Sequence, residues 1–158
     1  MGGTGCLPCP RCGTSCTIRH IAIAADAAEA PFVRLLLDTC TFIWLMTGER
    51  SLPVHVRAAL QEGDVLLSTA SAWEIAIKSA KGTLRLSQPP ERLVPLTRDR
   101  YALTALPLDE ESALHVAKLP RLHADPFDRI LVSQAIVHGL TIVTPDPLVT
   151  QYPARTMW

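Results

Sequence analysis

Four acidic residues, Asp38, Glu74, Asp128 and Asp146, each stand where an apolar run ends or a helix is expected to begin. Asp38 closes the run Leu35-Leu36-Leu37, and Asp146 follows Leu140-Thr141-Ile142-Val143-Thr144. Glu74 ends Ser71-Ala72-Trp73-Glu74, and Asp128 lies in Asp125-Pro126-Phe127-Asp128-Arg129 ahead of a long apolar segment. Carboxylates that converge repel one another, and each costs stability unless it is protonated or neutralised. A hard divalent cation is the natural neutraliser, because Mg2+ and Mn2+ favour oxygen ligands and often bind substrate phosphate as well. A metal so held activates a water and stabilises charge on a scissile phosphate. The chemistry this placement implies is metal-dependent phosphodiester hydrolysis.

Each acid also has a plainer reading. Asp125 suits a helix N-cap with Pro126 in the first turn, and Asp128 at the third position faces the positive helix end. Ser71 and Glu74 have the spacing of a capping box. Asp146 lies in Pro145-Asp146-Pro147, and acids in such sequences are usually turn formers. Asp38 has the weakest structural excuse. The four plain readings are individually good and jointly strained. Phosphate-cradling glycine loops and the G-x-S-x-G elbow are absent from the sequence. The histidines, His20, His55, His115, His123 and His138, show no metal-ligand pairing and read as surface or cap residues. Cys40 reads as a lone buried thiol.

Strand-like and helix-like segments alternate from residue 33 onward. Strands are expected at 35–37, 65–67, 104–108 and 140–144, with a short edge strand at 154–158. Helices are expected from 42 to about 47, from a Ser51 cap to Gly63, from a Ser71 cap to Gly82, from Pro89 to about Ala102, from an Asp109 cap to Pro120, and from Asp125 to Gly139. This pattern argues for an α/β domain with a mostly parallel sheet. Ligands bind such sheets beyond the carboxyl ends of the strands. Asp38 and Asp146 fall at strand carboxyl ends, and Glu74 and Asp128 at helix N-termini that face the same edge.

The length of 158 residues suits one domain, and 48% hydrophobic residues supply its core. The formal net charge is +0, so nucleic-acid binding would have to come from a local patch. No apolar run reaches the roughly 18 residues of a membrane span, and no secretory signal is evident, so a cytoplasmic protein is expected. Residues 1–32 differ from the rest. They hold Cys6, Cys9, Cys12 and Cys16 in a C-x2-C-x2-C-x3-C run. This run resembles an iron–sulfur pattern but lacks both the following proline and a second cysteine set. The expectation is a disordered leader or a misassigned start, with translation beginning at Val33 and the functional domain spanning 33–158.

The chain resembles the PIN-domain family, and within it the VapC-like toxins of type II toxin–antitoxin modules. The resemblance is carried by LLLDT at 35–39, SAWEIAIKSAKGTLRL at 71–86, DPFDRILVSQAI at 125–136, TIVTPD at 141–146 and the closing YPARTMW. It implies a Rossmann-like three-layer α/β/α sandwich and a Mg2+- or Mn2+-dependent ribonuclease. It implies metal-binding and catalytic roles for Asp38, Glu74, Asp128 and Asp146, with Asp125 as an auxiliary acid. Thr39 and Thr144 become supporting hydroxyls, and Arg129 a contact for RNA phosphate. It further implies an RNA substrate, a cognate antitoxin, a homodimer and no membrane. Phe42, Trp44 and Trp73 are apolar positions expected to flank the site and receive an antitoxin helix. Many relatives carry a histidine where this chain has Cys40. A housekeeping PIN-type RNA-processing nuclease is the alternative function.

Overall fold

A computed structural model describes residues 33–158, so the readings of residues 1–32 lie outside the described residues. The organising strand is β1 (Arg34–Leu37), whose Leu35, Leu36 and Leu37 are all fully buried. Successive side chains of a strand point to opposite faces. Leu35 and Leu37 therefore join one apolar core and Leu36 the other. A strand buried on both faces needs helices on both sides, which is why its sequence is continuously apolar.

The chain continues through α1 (Thr39–Thr47), α2 (Val54–Glu62), β2 (Asp64–Ser68), α3 (Thr69–Ala80), α4 (Pro90–Arg100) and β3 (Thr104–Leu106). It then forms α5 (Glu110–His115), α6 (Pro126–His138), β4 (Thr141–Val143) and β5 (Arg155–Met157). Phe42 of α1, Val56 of α2, Ile75 of α3 and Val94 of α4 cover one face of the sheet. Leu131, Val132 and Ala135 of α6 cover the other, together with Leu119, Val149 and Tyr152 from loops. The result is the expected three-layer α/β/α sandwich. Among the described residues no helix is long and apolar enough to cross a membrane.

The sheet has five strands in the order β3-β2-β1-β4-β5, and every pairing is parallel. The chain builds outward from β1 through β2 to β3, then crosses back to place β4 on the other side of β1. The switch point is therefore between β1 and β4, and in such sheets ligands bind beyond the carboxyl ends of the strands at that point. Asp38 follows β1 directly, and Thr144 and Asp146 follow β4.

Three helix starts differ from the sequence expectation. Helix α1 begins at Thr39, capped by Asp38, rather than at Phe42. Pro53, not Ser51, occupies the N-cap position of α2, without a side-chain cap bond. The third difference bears on the site. β2 runs as far as Ser68, whose hydroxyl caps α3 by accepting from the Ala70 amide at 3.0 Å and also donates to Gln134 Oε1 at 2.6 Å. Helix α3 thus begins at Thr69, and Ser71 and Glu74 are not a capping box. Glu74 falls at the sixth helical position, beyond the first-turn amides that need a cap. Its plain structural reading is removed.

Candidate active site

Asp38 is the N-cap of α1: its Oδ1 accepts from the Cys40 amide at 3.4 Å. Its Oδ2 accepts from the Thr144 hydroxyl at 2.5 Å and from the Cys40 thiol at 3.2 Å. The Asp38 amide donates to the Val143 carbonyl at 3.2 Å, so the end of β1 is tied to β4 by backbone and side chain together. Thr144 is fully buried, and its hydroxyl also accepts from the Asp146 amide at 3.0 Å. One hydroxyl therefore fixes two of the expected acids. Asp146 Oδ1 accepts from the Leu148 amide at 2.7 Å, a turn-forming bond that leaves Oδ2 free to face the site.

Glu74 is 3% exposed. Lys78, one turn along α3, donates to its Oε1 at 2.5 Å. Among the described residues its Oε2 is buried with no hydrogen-bond partner, as are the hydroxyls of Thr39 and Ser71. A buried polar atom without a partner costs free energy, on the order of 1–3 kcal/mol, and more when charged. Burial works against the Lys78 ammonium, but the bond and charge of Glu74, with Asp125 and Asp128, more than offset it and hold its pKa above the usual lysine value. The lysine thus senses several acids at once.

Asp125 caps α6 by accepting from the Phe127 amide at 2.9 Å, as the sequence predicts. Asp128 follows in the first turn, with 19% of its side chain exposed. Burial pushes its carboxyl up to about 7, and the charges of Asp38, Asp125 and Glu74 push the same way while His123 opposes them.

The sequence reading missed His123. Its side chain is 15% exposed, and its Nε2 lies 3.3 Å from Asp128 Oδ2 and 3.5 Å from Asp146 Oδ2. His123, Asp128 and Asp146 offer ligand atoms that all lie within 4.8 Å of one another, a set that does not include Asp38 or Glu74. No spacing rule could have found the histidine, because its partners are brought to it by the switch point between β1 and β4.

Arg129 is placed differently from the expectation. Its Nη1 donates to the Pro120 carbonyl at 2.8 Å and to the Tyr152 hydroxyl at 3.2 Å. Its Nη2 donates to the carbonyls of Val116 and Leu119 at 2.9 and 3.4 Å. These bonds clamp the α5–α6 loop and leave the guanidinium committed to protein oxygens. The three expected aromatic contacts also separate. Phe42 is fully buried in the core, and Trp44 packs on Trp158 at 5.6 Å with Arg50 over its ring. Trp73 remains 60% exposed, edge-on to Phe127 at 5.2 Å, so one aromatic pair stands beside Glu74 and Asp128.

The residues fit a divalent cation. The donors are hard carboxylate oxygens, the preferred ligands of such ions. Glu74 Oε2 is buried without a partner, and Asp128 resists ionising beside its neighbours. Both features are relieved by positive charge placed among these side chains. Asp38, Glu74, Asp128 and Asp146 are the residues that would hold it.

A search of curated proteins finds no match. Among solved structures, a chain of the VapBC2 complex from Rickettsia felis, bound to a DNA fragment from its promoter, is similar with a TM-score of 0.63 and 13% identity. The match covers 80% of this chain and 99% of that one. A chain of DNA-bound VapBC from Salmonella typhimurium matches at 0.59 and 21% identity, over 79% and 97% of the two chains. A chain of the FitAcB structure from Neisseria gonorrhoeae matches at 0.56 and 22% identity, over 78% and 96%. At these identities the likeness is one of fold. The model of the PIN domain matches residues 35–153, a span that begins inside β1 and takes in every acid of the site. This chain is a member of the PIN-domain family, whose domains are generally nucleases and typically use divalent metals.

Proposed function

We propose that the protein is a Mg2+- or Mn2+-dependent endoribonuclease and the toxin of a type II toxin–antitoxin module. The observation that carries the reading is the buried, unpartnered Glu74 Oε2, together with an Asp128 carboxyl that burial, and then the charges of Asp38, Asp125 and Glu74, push up to about 7. Such an arrangement is costly for a protein without a cation to bind and is suited to one with it. What Mg2+ or Mn2+ supplies when bound is an activated water and charge stabilisation at the scissile phosphate.

The chain's own residues do the positioning. Thr144 holds the Asp38 carboxylate and the Asp146 backbone from one buried oxygen. Lys78 restrains Glu74 through Oε1 and leaves Oε2 unengaged. Asp125 caps α6 and so aims Asp128. Thr39, next to Asp38 in the chain, adds a buried hydroxyl with no hydrogen-bond partner among the described residues.

The toxin assignment is supported by the family and by the solved relatives, which are chains from VapBC and FitAB assemblies. For this chain we further infer a cognate antitoxin, and with it an RNA substrate in the cytoplasm and a homodimer. An antitoxin reaching this edge would meet uncompensated carboxylates, which an arginine side chain can hold bidentately. The exposed Trp73, packed edge-on to the half-buried Phe127, offers apolar contact beside them.

The test is cleavage of end-labelled single-stranded RNA by the metal-free protein, with Mg2+, with Mn2+ and with EDTA. Cleavage is expected with either ion and none with EDTA; a protein inert with both ions overturns the nuclease reading. Induction in the host should arrest growth, and co-expression of the short reading frame next to the gene should relieve the arrest. If the enzyme is active but harmless on induction, a housekeeping RNA-processing role replaces the toxin.

A further inference from the structure

We propose that His123 is a positioning residue of the acid edge: its Nε2 side faces Asp128 and Asp146 and draws them together by charge attraction, and the ring does not itself ligate the cation. The inference rests on the metal reading above. By distance alone His123, Asp128 and Asp146 form a metal-ligand triad, with ligand atoms within 4.8 Å. The hydrogen bonds argue for another arrangement.

The Asp125 amide donates to His123 Nδ1 at 3.0 Å. An amide N–H can only donate, so Nδ1 must be the acceptor nitrogen of the ring. In the neutral ring the single proton is then on Nε2, the nitrogen that faces Asp128 Oδ2 and Asp146 Oδ2 at 3.3 and 3.5 Å. A ring that ligates through Nε2 must give up that proton and carry it on Nδ1. The Nδ1–H would then point at the Asp125 N–H, donor against donor. Releasing that clash would require the α6 cap to move, because Asp125 is the residue that caps α6.

The ring is also held from behind. The His123 amide donates to the Tyr152 hydroxyl at 2.9 Å, and the same hydroxyl accepts from Arg129 Nη1 at 3.2 Å. Arg129 in turn binds the carbonyls of Pro120 and Val116. The clamp built by Arg129 and Tyr152 thus fixes the loop on which His123 stands. A ring N–H that faces two carboxylates at 3.3 and 3.5 Å attracts both without adding a ligand. Groups that orient metal-binding side chains in this way typically change metal affinity by about 10–100-fold when removed.

The test uses protein labelled with 15N at histidine, with His123 assigned from the spectrum of His123→Ala. Two-bond nitrogen–proton correlations at mildly alkaline pH report which ring nitrogen carries the proton, before and after saturation with Mg2+. The proposal expects the Nε2–H form in both states. In parallel, Mn2+ binding should weaken about 10–100-fold in His123→Ala and be partly restored in His123→Gln, whose side-chain amide retains an N–H donor. A ring that switches to the Nδ1–H form when Mg2+ binds overturns the proposal and makes His123 a ligand. Unchanged Mn2+ affinity in His123→Ala also overturns it. A wild-type protein that binds neither ion overturns the metal reading and this inference with it, an outcome distinct from the other two.

Discussion

Asp109 and Asp128 each stand at the start of a helix and each face a histidine, yet their surroundings are opposite. Asp109 caps α5, accepting from the Ser112 amide at 2.8 Å and the Ser112 hydroxyl at 2.7 Å, while His138 Nε2 lies 2.8 Å from its Oδ2. The Ser112 amide and hydroxyl, then His138, hold its carboxyl well below the usual carboxylate range. Asp128 is more buried and has acids for neighbours, and its carboxyl is pushed up to about 7. Asp109, Ser112 and His138 look like a hydrolytic triad by residue type. They are not one, because His138 presents the same Nε2 to Ser112 at 3.4 Å and to Asp109 at 2.8 Å. A relay requires one ring nitrogen for each partner. Residue types alone therefore do not mark a site: Asp109 is held ionised by donors at a helix start, whereas burial and neighbouring acids disfavour the charge of Asp128.

The largest expected break in this comparison is in activity. Asp38→Asn and Asp128→Asn should each reduce metal-dependent RNA cleavage at least about 100-fold, because each removes a charged oxygen donor. Asp109→Asn should cleave at near the wild-type rate. Initial rates on one labelled RNA under saturating Mg2+ decide between the two acids.

Stability should change with the opposite sign. Asp128→Asn relieves a crowded buried charge and should stabilise the metal-free protein at neutral pH by roughly 1–2 kcal/mol. Asp109→Ala removes the α5 cap and the partner of His138, and should lower the melting temperature. Thermal unfolding of metal-free protein with EDTA present measures both.

The pH dependence sharpens the contrast further. The folded pKa of Asp128, about 7, exceeds its ordinary value of 3.8. Between these values the folded state binds more protons than the unfolded state, so this group's contribution to stability falls as pH rises from about 4 to about 7 and is level above. The folded pKa of Asp109 is depressed, so its contribution is present above the ordinary carboxylate range and is lost as pH falls through the folded value. The melting-temperature gap between wild type and Asp128→Asn should therefore widen from pH 4 to pH 7, with the variant increasingly the more stable. The gap between wild type and Asp109→Ala should narrow at acid pH. An effect of similar size and opposite sign to that of Asp128→Asn is expected in Thr144→Val, which strips Asp38 Oδ2 of its hydroxyl donor and should cost about 1–2 kcal/mol in the metal-free protein by the same unfolding measurement.

Much of the fold was legible because local chemistry and tertiary structure agree. The continuous Leu35–Leu37 run forms a strand buried on both faces, and Asp125 with Pro126 opens α6 as its sequence predicts. Glu74 was misread as half of a capping box because Ser71 has the right spacing. The pairing of β2 with β3 carries the strand to Ser68, and that later strand end moved the true cap. His123 was passed over because its contacts depend on a loop held by Tyr152, twenty-nine residues away in sequence. Arg129 was assigned to RNA because its carbonyl acceptors, at Val116, Leu119 and Pro120, gather only when the α5–α6 loop folds back. In each miss the deciding contact was long-range or belonged to irregular chain, where spacing rules carry no information.

The central claim is that the carboxylates beyond β1 and β4 bind a divalent cation. Calorimetric titration of metal-free protein with Mn2+ tests it most directly. The account predicts saturable binding by wild type and by Asp109→Asn, weakened at least tenfold in Asp128→Asn and in Glu74→Gln. Binding that is absent from wild type, or that survives both substitutions unchanged, would contradict it.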